Sequence, residues 1–176
     1  MSDVLDRDHI CFDLETLSTN QRGMIVSIGA CKFRFDTGIT DKFSVNISTK
    51  DSSLYDKHVS KDTLIWWQDQ PKEIRDSWRK DPVTVMEALD KFNAFFGDNK
   101  KQMIWSQGTY FDCGLLKDTY DVCNRKEPWE FWNIMDARTI FNFVGVRFKN
   151  KSNAHSALDD ATDTAELLIK TLNPKE

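Results

Sequence analysis

The N-terminal part of the chain contains three short stretches in which apolar side chains recur at strand spacing. His9–Leu17 is a short apolar run bounded by charged residues, which predicts a buried strand. Met24–Phe35 is rich in β-branched and alternating residues, and Lys42–Ile47 alternates between apolar and polar side chains, so each predicts a further strand. Because the turn Asp36–Gly38 joins the second stretch to the third, we expect an antiparallel meander.

The rest of the chain shows mainly helical spacing. Two short apolar runs, Met103–Ser106 and Phe131–Met135, predict the fourth and fifth strands. Helices are predicted after the cap residue Ser60, at Pro71, after Asp81–Pro82, over Phe111–Cys123, after Asp136 and over about Ser156–Leu172. A meander followed by strands that alternate with helices predicts an α/β fold with a five-stranded mixed sheet, in one domain over residues 1–176.

The composition is that of an ordinary globular protein without a strongly basic character. Hydrophobic residues make up 40% of the chain, and the formal net charge is −4 at pH 7. Proteins that bind nucleic acid passively neutralise phosphates with lysine and arginine, so this balance counts mildly against such a protein. It does not count against an enzyme whose bound metal supplies the positive charge.

The cysteine spacing, the N-terminal sequence and the length of the apolar runs indicate the cellular environment. The four cysteines form no CxxC pair and lie mostly within apolar runs, which favours reduced, buried thiols. The N-terminus lacks a basic segment followed by an apolar one, and no apolar run approaches the length of a membrane span. We therefore expect a soluble, cytoplasmic protein with no membrane partner. His9 and His58 lie among polar residues and are predicted to be at the surface.

Two carboxylates lie inside the first apolar run. Asp13 and Glu15 are two residues apart, so on a strand their side chains point to the same face. Two carboxylates side by side in a core repel each other unless a cation neutralises them, and hard oxygen ligands suit magnesium or manganese. The simpler alternative is a strand end that carries two solvated acids.

Two later places also carry acids that chemistry could use. Asp112 follows the Met103–Ser106 strand at the start of a helix, where it serves either as the helix cap or as a site residue. His155 precedes a helix whose first turns carry Asp159, Asp160 and Asp163. Acids in a first turn favour the helix dipole, but that effect does not explain a neighbouring histidine, which can accept a proton from water.

Three segments together resemble a known family. FDLET (Phe12–Thr16), YFD (Tyr110–Asp112) and HSALDDA (His155–Ala161) resemble the three motifs of the DEDDh (RNase T-like) 3′–5′ exonuclease superfamily, which has a ribonuclease H-like fold. The third motif of that family is H-x-A-x-x-D. It selects His155 and Asp160 here and leaves Asp159 outside the metal set.

The resemblance implies a function and a role for each acid. Asp13, Glu15 and Asp160 hold one magnesium ion, Asp13 also reaches a second, and Asp112 supports the site through water. His155 is the general base, and manganese substitutes for magnesium. The implied reaction removes 5′-mononucleotides from the 3′ end of single-stranded RNA or DNA, or of a 3′ overhang, and the main chain at Thr16 and Leu17 binds the terminal nucleotide.

A narrower resemblance links Thr63–Arg75 and Phe131–Thr139 to the phage DexA-type exonuclease and related exoribonuclease-like proteins. Trp66 and Trp67 lie in the first of these segments, and each either packs in the core or lines the nucleotide cleft, where bases stack on aromatic rings. Trp67 is the predicted substrate contact. Many relatives carry asparagine four residues before the aspartate of the second motif, whereas this chain has Gly108.

Two other functional classes stay open at this stage. A catalytically silent nucleic-acid-binding or scaffold domain on the same fold would be expected to lack a metal carboxylate or the histidine, yet all five residues are present. A metal-dependent phosphatase for small substrates is the second alternative. The basic loop Arg147–Lys151 either guides the phosphate backbone or is simply solvated. The preferred polymer is open, and a homodimer is a possible assembly.

Overall fold

The computed structural model describes residues 2–147 and 156–173, which form a mixed sheet flanked by helices. The strands are β1 (His9–Thr16), β2 (Ile25–Arg34), β3 (Gly38–Asn46), β4 (Met103–Ser106) and β5 (Ile134–Asp136). The α-helices are α1 (Ser2–Leu5), α2 (Thr49–Ser52), α3 (Lys61–Gln68), α4 (Lys72–Ser77), α5 (Val85–Phe96), α6 (Thr109–Val122), α7 (Ala137–Val144) and α8 (Ala157–Leu172). Short 3₁₀ turns cover Ser53–Tyr55 and Phe131–Asn133.

The strands form one sheet in the order β3-β2-β1-β4-β5. The pairs β1–β2 and β2–β3 are antiparallel, and the pairs β1–β4 and β4–β5 are parallel. The predicted α/β class, meander and five-stranded mixed sheet are therefore confirmed. Parallel neighbouring strands need crossover connections. Helix α5 leads into β4, and α6 lies between β4 and β5.

The two faces of β1 pack against different helices. Ile10, Phe12 and Leu14 belong to a core cluster with residues of α5 and α6, whereas Cys11 packs with Ala165 and Leu168 of α8. Side chains alternate between the faces of a strand, so Asp13 and Glu15 lie on the same face as Cys11. The two acids of β1 therefore point towards the face that α8 covers.

Gly29 of β2 allows α8 to approach the sheet unusually closely. Gly29 pairs with Asp13 across the β1–β2 ladder. A Cβ atom at Gly29 would lie 2.0 Å from the main-chain nitrogen of Leu158 and 2.2 Å from the carbonyl carbon of Ala157. The absence of a side chain there lets the first turn of α8 rest directly on the sheet, beside Asp13.

Three predicted boundaries are wrong, and the first is that of β3, which begins at Gly38 rather than at Lys42. The fifth strand begins only at Ile134, because Phe131 and Trp132 form a 3₁₀ turn in which their side chains are exposed. Aromatic residues favour strands, but this preference reflects packing against neighbours that these two side chains lack. Helix α5 does not start from Asp81–Pro82, since its cap is Thr84, whose hydroxyl accepts a hydrogen bond from the Glu87 main-chain N–H.

The predicted surface position of His9 is also wrong. The His9 side chain is fully buried, where its ring stacks on Phe33 and its Nδ1 accepts a hydrogen bond of 2.9 Å from the Trp105 indole N–H. Burial lowers the pKa of His9 to about 4, so the ring is neutral near pH 7. The polar residues around His9 in the sequence do not reveal this, because its contacts come from β2 and β4. His58 is exposed, as predicted.

The cysteine prediction is confirmed, since Cys11, Cys31, Cys113 and Cys123 are all buried and free. Within residues 2–147 and 156–173, no helix has both the length and the hydropathy that a membrane span requires.

Candidate active site

Three carboxylates meet where the end of β1 faces the first turn of α8. Oxygen atoms of Asp13, Glu15 and Asp160 lie within 4.8 Å of one another. Asp13 and Glu15 come together because they are two residues apart on one strand, and Asp160 joins them because Gly29 lets α8 approach. Asp159, the neighbouring acid, is exposed to solvent and lies outside this cluster.

Asp112 lies beside the cluster on α6. It is the fourth residue of that helix, its side chain is buried, and the N-cap position belongs to Gly108. The alternative in which Asp112 caps the helix is therefore excluded. The charge of Asp112 contributes to the raised pKa values of both Asp13 and Glu15, which places it within electrostatic reach of the cluster.

A second aspartate, Asp136, holds the start of α6 in place. One of its carboxylate oxygens accepts hydrogen bonds of 2.9 Å from the Thr109 main-chain N–H and 3.1 Å from the Thr109 hydroxyl. The other oxygen caps α7 by accepting a bond of 2.7 Å from the Thr139 N–H, as the sequence predicted. Burial opposes ionisation of Asp136, but these bonds outweigh it and lower its pKa. The sequence revealed only the helix cap and missed the link to Thr109.

The cluster is electrostatically unfavourable without a cation. Burial, followed by the charges of Asp112, Glu15 and Asp160, raises the pKa of Asp13 well above its usual range. Burial and the charges of Asp160 and Asp112 raise the pKa of Glu15 to about 8. Burial raises the pKa of Asp112 to about 6, although Ser106 and Arg138 act in the opposite direction. Carboxylates with such pKa values are typical of functional sites.

The donor set fits a divalent cation. The Oε1 atom of Glu15 is buried and has no hydrogen-bond partner among the described residues. An unpartnered buried carboxylate oxygen costs free energy unless a cation coordinates it. The cluster offers hard oxygen ligands without a thiolate or imidazole in the described part of the chain, and such ligands suit magnesium or manganese.

An open cleft of about 460 Å³ adjoins Glu15. Its lining includes Leu14, Glu15, Thr16, Thr63, Trp66 and Trp67. A cavity of this size is within the range that small ligands occupy. The cleft therefore leads directly from the carboxylate cluster towards α3.

The two adjacent tryptophans have different environments. Trp67 is only 3% exposed, and its indole N–H donates a hydrogen bond of 2.9 Å to the Thr16 carbonyl. Trp66 is 40% exposed and lines the cleft. Trp67, the predicted substrate contact, thus lines the cleft while being largely buried and bonded to Thr16, and Trp66 is the more exposed of the two rings.

Of the two main-chain positions predicted to bind a nucleotide, only Thr16 lines this cleft. The main-chain N–H of Leu17 donates to the Met24 carbonyl, and the Leu17 carbonyl accepts from the Ser60 N–H. The Leu17 side chain is buried and lines a separate cavity. His155 and residues 148–151 of the basic loop lie outside the described residues.

Solved structures share this fold at low sequence identity. A complex of E. coli exonuclease I with single-stranded DNA is 13% identical with a TM-score of 0.70, and the match covers 96% of this chain and 42% of that one. The nuclease domain of 3′hExo, a DEDDh family member bound to rAMP, is 14% identical with a TM-score of 0.63, and 95% and 92% of the two chains are covered. The chain thus spans about two fifths of exonuclease I.

The shared fold is that of the nuclease domain of 3′hExo, and the carboxylate cluster lies within this fold. No curated protein matches the sequence. Residues 8–172 match the family described as the 3′–5′ exoribonuclease Rv2179c-like domain, and the chain belongs to this family.

Proposed function

We propose that this nuclease removes nucleotides one at a time from the 3′ end of single-stranded nucleic acid or of a 3′ overhang, with RNA as the preferred polymer. The observation that carries the proposal is the convergence of Asp13, Glu15 and Asp160 around the unpartnered Glu15 oxygen. The preference for RNA follows the description of the family as an exoribonuclease. The products are 5′-mononucleotides.

The carboxylates hold two magnesium ions, for which manganese substitutes. Asp13, Glu15 and Asp160 would hold the first ion, and Asp13 and Asp112 would hold the second. When bound, such ions would supply positive charge to the attacking water, the scissile phosphate and the leaving oxygen.

His155 is the general base in this proposal. It directly precedes Ser156, the residue at the N-cap position of α8, whose first turns carry Asp160. A positioned histidine contributes about 100- to 10,000-fold in rate. His155→Ala should lower kcat by this order while magnesium still stabilises the fold. Full activity of the variant would remove His155 from the mechanism.

The terminal nucleotide occupies the cleft beside Glu15. Thr16 and the exposed ring of Trp66 line this cleft, and an aromatic face accepts any base by stacking. Trp67 also lines this cleft, and its indole N–H holds the Thr16 carbonyl.

The test is a time course on 5′-labelled single-stranded RNA and DNA of the same sequence, with magnesium, manganese or EDTA. We expect a ladder that shortens from the 3′ end only when metal is present, and faster on RNA. Asp13→Asn is the inactive control, because it removes a charge from the cluster and preserves the size of the side chain. Equal rates on the two polymers would contradict the preference for RNA.

The same assay, extended to a nucleoside monophosphate and a dinucleotide as substrates, separates the other functional classes. A silent binding domain would bind the strands without shortening them in any metal. A phosphatase would release phosphate from a nucleoside monophosphate and leave a dinucleotide intact. A cytoplasmic location and a homodimer stay predictions, and light scattering of the purified protein checks the second.

A further inference from the structure

Arg138 lies at the edge of the carboxylate cluster and takes no part in the functions assigned so far. It is in the first turn of α7, directly after β5, and its side chain is exposed. Its Nη2 atom donates a hydrogen bond of 2.7 Å to the Gln107 carbonyl. The guanidinium lies over Gly108, where an added Cβ atom would be 3.4 Å from Nη2. The guanidinium thus lies within van der Waals range of the position that a Cβ atom of residue 108 would take.

The positive charge of Arg138 affects Asp112, and none of the described residues forms an ion pair with Arg138. Arg138 is one of the groups that lower the pKa of Asp112. Within residues 2–147 and 156–173, no carboxylate lies within ion-pair distance of its guanidinium. The nearby Asp136 already accepts bonds from Thr109 and Thr139 on both oxygens. The guanidinium therefore retains donors for an anion.

The position of Arg138 in the fold indicates which phosphate it meets. The nucleotide cleft lies on the side of β1 where Trp67 packs against Val26 of β2. Arg138 follows β5, which is two strands from β1 on the opposite side, a distance of about 10 Å. A strand whose terminal nucleotide fills the cleft and whose scissile phosphate lies at the cluster would reach Arg138 by continuing across β4 towards β5.

We propose that Arg138 binds the second phosphate from the 3′ end of the strand, the one directly upstream of the scissile phosphate. This inference rests on the proposed exonuclease function. A guanidinium is suited to the role because it stays charged and presents paired N–H donors to phosphate oxygens. Arg138 would then help to select a strand with at least two linkages over a dinucleotide.

The test pairs a protein variant with a change in the substrate. The substrate is a strand whose second linkage from the 3′ end is either a phosphate or an uncharged methylphosphonate, with a deoxynucleotide at that linkage. The variants are Arg138→Gln and, as a matched control, Arg125→Gln, which removes an exposed arginine that lies beyond the opposite end of α6. The measured quantity is kcat/KM for release of the first nucleotide.

We expect Arg138→Gln to lower kcat/KM about 10- to 100-fold on the phosphate strand, as for the loss of a hydrogen bond to a charged group. On the methylphosphonate strand the same variant should lose less than about 3-fold, because the partner charge is already absent. Arg138→Lys should recover part of the loss. Equal losses on the two strands, or no loss on either, would refute the contact.

Binding measurements separate this inference from the proposed function. Anisotropy of the labelled strands with calcium in place of magnesium should show the same coupling between Arg138 and the second phosphate. Coupling in binding without any cleavage by the wild type would refute the exonuclease proposal alone. Cleavage without coupling would refute the role of Arg138 alone, and a wild type that neither binds nor cleaves would refute both.

Discussion

Asp159 and Asp160 are adjacent in the sequence but face different surroundings. Successive residues on a helix are separated by about 100°, so one turn cannot direct both side chains at the same point. Asp160 is partly buried and joins Asp13 and Glu15, whereas Asp159 is exposed. Two acids of identical chemistry therefore have different expected functions.

We expect Asp160→Asn to lower metal-dependent cleavage by about 1,000-fold, because a bound cation contributes several kcal/mol to the transition state. Asp159→Asn makes the same chemical change one residue away and should retain most of the activity. The measurement is kcat/KM on single-stranded RNA for the two variants, after circular dichroism has shown that both are folded. Equal losses would contradict the assignment of Asp160 to the cluster.

The adjacent tryptophans allow a similar test. Trp67→Ala removes a buried ring and its bond to Thr16, and should lower the free energy of unfolding by about 3–5 kcal/mol. Trp66→Ala removes a partly exposed ring and should instead weaken strand binding by about 1–3 kcal/mol. Denaturant unfolding and anisotropy measure the two effects. Unchanged strand affinity in Trp66→Ala would contradict the proposal that the Trp66 ring stacks on a base.

At the scale of elements, the site depends on how closely α8 approaches the sheet. The small residues Ala157, Ala161 and Ala165 lie on the buried face of α8, and Gly29 lies beneath its first turn. These residues set the distance between α8 and β1, and so the distance between Asp160 and the acids of β1. Helix α6 is held independently, through the bonds between Asp136 and Thr109.

Gly29→Ala should therefore disturb both the fold and the metal site. Its Cβ atom would overlap main-chain atoms of Ala157 and Leu158, which cannot rotate away as a flexible side chain can. We expect a loss of about 1–3 kcal/mol of stability, as for overpacking, together with weaker magnesium binding. Gly114→Ala is the control, because its Cβ atom would meet only the end of the Gln21 side chain. Calorimetry of metal binding by the variants distinguishes a displaced α8 from a general loss of stability.

At the scale of the whole molecule, four acids from β1, α6 and α8 repel one another across the centre of the fold. An acid whose pKa is higher in the folded than in the unfolded state stabilises the fold less as pH rises towards the folded value. Glu15 changes from its ordinary value of 4.5 to about 8. Metal-free protein should thus lose stability as pH rises towards 8.

Thermal unfolding at pH 6.5 and pH 8.5 tests this expectation. His9, with a pKa of about 4 in the fold and 6.5 unfolded, changes stability mainly at lower pH and does not confound the comparison. In EDTA the Tm should be lower at pH 8.5. Magnesium at about 100 times its Kd should raise the Tm by about 5–10 °C, and by more at the higher pH. A metal-free Tm that rises over this interval would contradict the raised pKa of Glu15.

The sequence by itself determined the features that local spacing controls. Alternating apolar residues located the strands of the meander, helical spacing located α6 and α8, and a separation of two residues put Asp13 and Glu15 on one face of β1. These predictions succeed because the direction of a side chain within a strand or helix depends on its own few neighbours. Three short motifs in order were enough to indicate the family to which the chain belongs.

Only the tertiary structure decided what lies against each of those faces. It buried His9 under Phe33 and Trp105, exposed Trp66 and buried Trp67, and brought Arg138 over Gly108. Each of these contacts joins residues that are distant in the sequence or depends on how one element packs against another. Spacing along a chain carries no information about such distances, because they depend on how the side chains of the whole core fill space.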